Sequence, residues 1–452
     1  MPWVGAPLPQ TSKSHAFGAA AYQQRPLDLR KLGYTEAEYV VRGQARVFDW
    51  PARAGAAPRV LSKPGPYTTR ILVRQPADPA RFNGTAIVEP LNPSENVDLP
   101  IMWAESYAEL IADGYAWIGV TIKPNDIKSL REFDPVRYAT LGMPDPRPVA
   151  ACASRDINAF SQPTTTADET GLAWDMLSEI GALLKSRSAS NPLTRPAARL
   201  YMTGQSQTAG YARLYASVFN RHEAGPDGKP LYDGFLYSGS PPWQVPINQC
   251  RKDFPIGDPR LLTAPASAPV IEVFTQGDMK TNVETRRPDA DAADDRFRRY
   301  EVAGAAHVDD WEALSFASAT DMARAHHSMS DDRAEACRPQ GVKLSNFPVR
   351  YVFDAAWRNL DAWVRRGVPA PHGARLDLNA SAVSLPPDRA FVVDAEGNAS
   401  GGVRTPSVDV PTARWIGARS GPFVCLFRGY VYDFPNAELK RLYGTHEGYV
   451  RR

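Results

Sequence analysis

The chain has 452 residues with 52 basic and 50 acidic side chains, and a net charge of +2 supplies no global field for nucleic acid or an anionic membrane. Hydrophobic residues make up 43% and charged residues 23%, which excludes a disordered chain and provides for a sizeable core. The 41 prolines exceed the usual share of about 5% and mark many ordered loops.

No run approaches the roughly 18 apolar residues of a spanning helix, and MPWVGAPLPQTSKSH lacks the basic-then-apolar start of an export signal. A mature chain that has lost such a signal reads the same way, and a secreted or periplasmic location is expected over a cytoplasmic one. The expected partner is a small molecule, with no nucleic acid and no membrane. The four cysteines, Cys152, Cys250, Cys337 and Cys425, lack the CxxC spacing of zinc or redox sites. Free buried thiols and a single disulfide both fit. For a disulfide, Cys250 with Cys337 is the expected pair, because both lie in Pro-rich, loop-like sequence.

In chain order, YVVRGQARVF (39–48) and YTTRILVRQP (67–76) are β-rich and separated by turn residues, which predicts an opening antiparallel pair. TAIVEPLN (85–92) and YAWIGVTI (115–122) are short apolar strands. Between them a helix carries Trp103, Tyr107, Leu110 and Ile111 on one face and is closed by Gly114. This βαβ rhythm predicts parallel strands. From Lys123 to about Thr166 the prolines multiply and no period is sustained, which reads as an insertion over one end of the sheet. Alternation resumes with a helix through Leu172, Met176, Ile180 and Leu184, a strand at 198–203, a helix through Tyr211 to Phe219, and a strand at 232–239. Two strands follow at 269–275 and 297–304, then a helix over 351–366 with Phe353, Trp357, Leu360 and Val364 on one stripe, ended by Gly367. The last 80 or so residues are mixed and turn-rich. One α/β domain over 1–452 is expected, with probable lid or cap insertions at 123–166 and 240–268 and a loop insertion at 308–350.

The strongest local signal is ARLYMTGQSQTAGYARLYASVF, where Gly204-Gln205-Ser206 falls on the turn between a strand and a helix. Such a sharp turn forces the serine backbone into strain, and the following helix N-terminus aims free N–H groups at the charge that develops in acyl transfer. The GxSxG form has a second glycine two residues after the serine. Here Thr208 stands there and glycine comes only at Gly210, so a plain helix cap also fits the local sequence.

A serine hydroxyl is inert at neutral pH unless a histidine takes its proton and a carboxylate fixes the imidazole. In chain order serine, acid, histidine, the base falls on His307 in VAGAAHVDD after the last core strand. The acid falls on Asp278 in VFTQGDM, at the C-terminal end of the preceding strand, where open-sheet sites form. Glu272 lies inside that strand and is expected to point away. Glu284, Asp289, Asp291, Asp294 and Asp295 belong to a charged loop, with calcium binding a minor option, and Asp309 and Asp310 adjoin the histidine too closely to reach back. The oxyanion hole needs two backbone donors. Gln207 supplies one; Leu91, Asn92 or Ser94 remain for the other once the prolines are set aside, and Asn92 is the choice.

LGYTEAEYVVRGQA, VEPLN, DGYAWIGVT, TGQSQTAGY, RRPDADAADDRFRRYEVAGAAHVD, SNFPVRYVFDAAWRNLDAWVRRGVPAP and LYGTHEGYVRR together resemble a bacterial family of large serine hydrolases known as alpha/beta hydrolase domain proteins. The resemblance implies an α/β-hydrolase fold, with a mostly parallel sheet and helices on both faces. It also implies an elbow of the form GxSQxxG, in which Thr208 is a family trait. It carries the nucleophile to Ser206, the base to His307 and the acid to Asp278. Relatives tend to have a non-proline residue where this chain has Pro93, which leaves the second oxyanion donor open. The expected activity is hydrolysis of carboxylic esters of small to medium organic molecules through an acyl-enzyme, with Trp243 in a lid. No metal or organic cofactor is expected. Acyl transfer or lactone hydrolysis on the same triad, and a binding protein that keeps the fold without catalysis, are the alternatives.

Overall fold

Parallel strands are buried on both faces, and six of them lie side by side in this chain. In the computed structural model, which describes residues 1–148, 152, 167–222, 228–250, 252–327, 342–421 and 423–452, the main sheet has ten strands. In chain order the molecule contains β1 (Trp3–Val4), β2 (Tyr34–Ala45), β3 (Phe48–Asp49), β4 (Arg59–Val60), β5 (Gly65–Pro76), β6 (Thr85–Pro90), β7 (Ala116–Val120) and β8 (Arg199–Gln205). Then come β9 (Gly234–Ser238), β10 (Val270–Thr275), β11 (Ala290–Ala292), β12 (Asp295–Val302), β13 (Lys343–Leu344), β14 (Ala413–Ile416) and β15 (Tyr430–Asp433). The sheet order is β1-β2-β5-β7-β6-β8-β9-β10-β12-β11. From β7 to β12 every neighbour is parallel, while β1, β2 and β5 on one side and β11 on the other pair antiparallel. The expected antiparallel opening pair is β2 and β5, joined in register from Tyr34↔Pro76 to Ala45↔Gly65.

Helices cover both faces. On one, α1 (Ile101–Ala112) and the late helix Arg350–Arg366 bury Trp103, Trp357 and Leu360; on the other, α3 (Ala173–Lys185) and α4 (Gln207–Leu214) bury Trp174, Leu177 and Tyr211. Helix α1 starts after Pro100, which offers no side-chain cap. Glu89 of β6 does this instead, accepting from Met102 N at 2.8 Å, Trp103 N at 3.0 Å and Trp117 Nε1 at 2.7 Å. The chain leaves α1 through Gly114 at φ +74, where a Cβ would lie 2.1 Å from Arg81 O, so glycine is required.

The segment after Lys123 departs from the expectation of no regular structure. Pro124–Phe133 forms α2, with proline at its first turn, where a missing N–H costs nothing, and Ile127, Leu130 and Phe133 buried along one side. The prolines around it hid a short helix. Residues 149–151 and 153–166 of this segment lie outside the described residues. Likewise 308–327 contains α6 (Asp310–Ala313) and α7 (Ala319–Arg324) where a loop is expected, and 328–341 lie outside the described residues. The helix Arg350–Arg366 is α8, and it ends on Gly367 in the left-handed region. The turn-rich C-terminal stretch builds a three-stranded sheet, β13-β15-β14, joined to the main body by the bridges Val302↔Val403 and Val308↔Arg428.

Cys250 pairs with Cys152, which overturns the expected Cys250–Cys337 bridge; Cys337 lies outside the described residues. The reason is local. Glu169 accepts from Gln249 N at 2.8 Å and pairs with Arg147, whose guanidinium lies 3.4 Å from Cys250 Sγ, so the stretch before Cys152 is drawn against the stretch before Cys250. With the cysteines 98 positions apart in sequence, the chain-entropy argument assigns the bridge about 4 to 5 kcal/mol. No helix among the described residues is long and apolar enough to cross a membrane.

Candidate active site

The turn from β8 into α4 carries Ser206 at φ 56, ψ −120, one of four non-glycine residues at positive φ among those described. A side chain held in this region costs of order 1 kcal/mol or more and persists only where its surroundings over-determine it. They do so here. Ser206 N donates to Ser238 O at 2.9 Å, and Gly210 N donates to Ser206 O at 3.2 Å. A Cβ on Gly204 would lie 2.5 Å from Thr208 O, so the position two before the serine must be glycine. Thr208, where GxSxG has its second glycine, closes the turn. Its hydroxyl donates to Gln205 O at 3.0 Å and accepts from Gln205 N at 3.2 Å. Gly210 is needed one turn later, because a Cβ there would lie 2.5 Å from Val245 Cγ1.

Asp278 lies in the first turn of α5 (Gln276–Asn282), where a capping box with Thr275 fixes it. Its Oδ2 accepts from Thr275 N at 2.8 Å and Thr275 Oγ1 at 2.7 Å, leaving Oδ1 to accept from His307 Nδ1. His307 sits in the turn after β12. That turn is held by Gly304 N donating to Gln276 Oε1 at 2.9 Å and Val308 N donating to Phe427 O at 2.9 Å. The Phe427 ring lies 4.7 Å from the imidazole. With Nδ1–H committed to a carboxylate, Nε2 carries the lone pair that can accept a proton. Gly239, at φ +62, passes so close that a Cβ would lie 2.9 Å from both Asp278 Oδ1 and the His307 ring.

Ser206, Gln207, Asp278 and His307 line one cleft with about 580 Å³ of unoccupied space, part of it open to solvent. Pro241, Trp243, Val245 and Pro246 form one wall, and Leu426 and Phe427 form another. Gln207 N is the first amide of α4, at the helix N-terminus that follows Ser206. Asn92 is placed otherwise than expected. Its N–H donates to Leu99 O at 2.9 Å, a bridge within its own loop, so it is not free for an oxyanion. Leu91 N donates to Val120 O and Ser94 N to Asn92 Oδ1, which uses the other two candidates as well. Asn92 instead braces the elbow, its Nδ2 donating to Gln205 O at 2.8 Å.

Several of the other acids are engaged elsewhere. Glu272 pairs with Arg299 at 2.7 Å, Asp289 with Arg375 at 2.6 Å and Asp295 with Arg287 at 2.6 Å. Asp309 caps α6 through Trp311 N and Glu312 N. Behind the His307 turn, burial and then the charge of Asp309 hold the carboxyls of Glu105 and Glu312 well above the usual range, and burial raises Asp309 itself. Among the described residues, no group of three or more His, Cys, Asp or Glu side chains is arranged to hold a metal ion.

Sequence reasoning missed Gly239, Thr275, Leu426 and Phe427. Thr275 was detectable, since Thr-x-x-Asp before a helix is a capping-box spacing. Phe427 carries no local signal.

The chain matches the alpha/beta hydrolase domain family over residues 4–452, and it belongs to that family. Its mostly parallel sheet with helices on both faces is the α/β-hydrolase fold. No curated protein matches. Among solved structures it is similar to a protein assigned as a dienelactone hydrolase from Klebsiella pneumoniae, at 13% identity and TM-score 0.31, over 72% of this chain and 98% of the other. It is also similar to a dienelactone hydrolase from Anabaena variabilis (11%, TM-score 0.30, 63% and 96%) and an esterase from Rhizomucor miehei (9%, TM-score 0.32, 64% and 81%). At these scores the likenesses carry no argument about this chain's reaction.

Proposed function

We propose that this protein is a serine hydrolase that cleaves carboxylic esters of small to medium organic molecules through an acyl-enzyme. The observation that carries the reading is the convergence of Ser206, strained at a strand-to-helix turn, and the bonded pair His307–Asp278 on one cleft. Ser206 Oγ attacks the ester carbonyl while His307 Nε2 takes its proton, and Asp278 holds the imidazole by Nδ1 and offsets its charge. Gln207 N–H binds the oxyanion. His307 returns the proton to the leaving alcohol, and water activated by the same imidazole releases the acid. This route calls for no metal or cofactor.

The apolar walls favour neutral acyl or alcohol groups, with Trp243 in the segment 240–268 acting as a lid. The segments 123–166 and 308–350 complete the insertions on a single domain, and the elbow follows a bacterial GxSQxxG pattern. The Cys152–Cys250 bridge suits an oxidising compartment, and the balanced charge suits neither nucleic acid nor a membrane as partner. A fluorophosphonate probe tests the reading. We expect covalent labelling mapped to Ser206 and turnover of esters in a panel of graded acyl size. An unlabelled protein beside a labelled control esterase would overturn it.

A further inference from the structure

Gln205 is the last residue of β8 and stands directly before the nucleophile. Its main chain is tied on both sides, by Thr208 Oγ1 to N and O and by Asn92 Nδ2 to O. Its side chain is buried, and its Nε2 lies 3.1 Å from His307 O and 3.3 Å from His307 Nε2. The main-chain carbonyl can only accept, so the amide nitrogen must face His307, and its second hydrogen then meets the Nε2 lone pair. Among the described residues, no hydrogen bond joins Ser206 to His307 in this state.

We infer that Gln205 is a positioning residue for His307, an inference that rests on the serine-hydrolase reading. It holds the histidine turn through the main-chain carbonyl and the ring through Nε2, and it passes the lone pair to the Ser206 hydroxyl when an ester fills the cleft. The ring is thereby fixed at three points: Nδ1 on Asp278, a tilted contact with the Phe427 ring, and Nε2 on Gln205. A carboxylate of the same shape has no hydrogen for either acceptor, and a methionine of similar length has none.

The test compares Gln205→Met and Gln205→Glu with the wild type in three measurements: kcat and KM on an activated ester, the rate of fluorophosphonate labelling, and the ¹⁵N resonance of His307 Nε2 in mildly alkaline buffer. We expect kcat and the labelling rate to fall about 10- to 100-fold in both variants, the cost of a misplaced reacting group, with KM changed less than about threefold, as for a group felt mainly in the transition state. In Gln205→Met the Nε2 resonance should move toward that of an unbonded lone pair. Variants that keep kcat within about twofold, or that lose it while the resonance stays in place, would overturn the proposal and leave Gln205 a space-filler. A wild type that neither labels nor hydrolyses, yet shows the Nε2 shift in Gln205→Met, would instead refute the hydrolase reading and retain the contact.

Discussion

His15 and Asp321 make the same kind of bond as His307 and Asp278. Nε2 of His15 lies 2.9 Å from Asp321 Oδ2, both side chains are 4% exposed, and the ring stacks on Tyr22 at 3.5 Å with Phe133 at its edge. The two rings use opposite nitrogens. His15 spends Nε2 on its carboxylate and is left with Nδ1, the nitrogen next to its own main chain, buried and without a hydrogen-bond partner among the described residues. His307 gives Nδ1 to its carboxylate and turns Nε2, the far nitrogen, to Gln205 Nε2 beside a cleft that holds a strained serine. On the proposed reading, a histidine–aspartate pair serves chemistry through which nitrogen faces the cleft and what that nitrogen can reach; the other pair ties an N-terminal arm to α7.

The comparison can be broken from the catalytic end first. Ser206→Ala should remove the nucleophile and lower ester turnover by at least about ten-thousand-fold with an unchanged circular dichroism spectrum; retained activity in the purified variant would refute the assignment. Asp278→Asn should lose about a thousand-fold or more, because an amide that donates to Nδ1 holds the imidazole in the wrong tautomer. Gly239→Ala inserts a methyl 2.9 Å from both members of the pair at a position with φ +62. We expect about a hundredfold loss in kcat/KM, and steady-state kinetics showing less than a fewfold change would mean that the pair tolerates displacement.

At the other pair, Asp321→Asn should leave turnover within about twofold and lower unfolding stability by about 1 to 3 kcal/mol in urea, the cost of an unmatched buried group. The last prediction concerns pH. Burial raises the Glu89 carboxyl from 4.5 to about 7, against the opposing pull of its three N–H donors. Between these values the folded chain holds a proton that the unfolded chain has released, so this group's contribution is full below about 4.5 and is lost as pH rises through about 7. The slope is at most about 1.4 kcal/mol per pH unit. Glu89→Gln should flatten it in denaturant titrations across that window.

The parallel centre was legible because buried strands and amphipathic helices announce themselves by period, and the side chains proposed as nucleophile, acid and base, Ser206, Asp278 and His307, stand after successive strands on one cleft. The sequence did not betray α2, whose flanking prolines resemble a loop, nor the cysteine pairing, which depends on Glu169 and Arg147 folding back on Gln249 and Cys250. Asn92 misled for a related reason. Its loop was found, but whether an amide is free depends on a bridge to Leu99 seven residues away, and no composition rule reports that. Leu426 and Phe427 reach the cleft only through pairing of a late segment with Val308, a contact of long range in the chain.

That late pairing bears on how the molecule comes into being. A chain emerging from the ribosome releases the elbow, the aspartate cap and the histidine turn well before residue 427, and folding proceeds from the N-terminal side as it emerges. Until the Phe427 carbonyl receives the Val308 N–H, the His307 imidazole lacks one of its neighbours. The growing polypeptide therefore carries Ser206, Asp278 and His307 before it carries Leu426 and Phe427, the residues that close one side of their cleft.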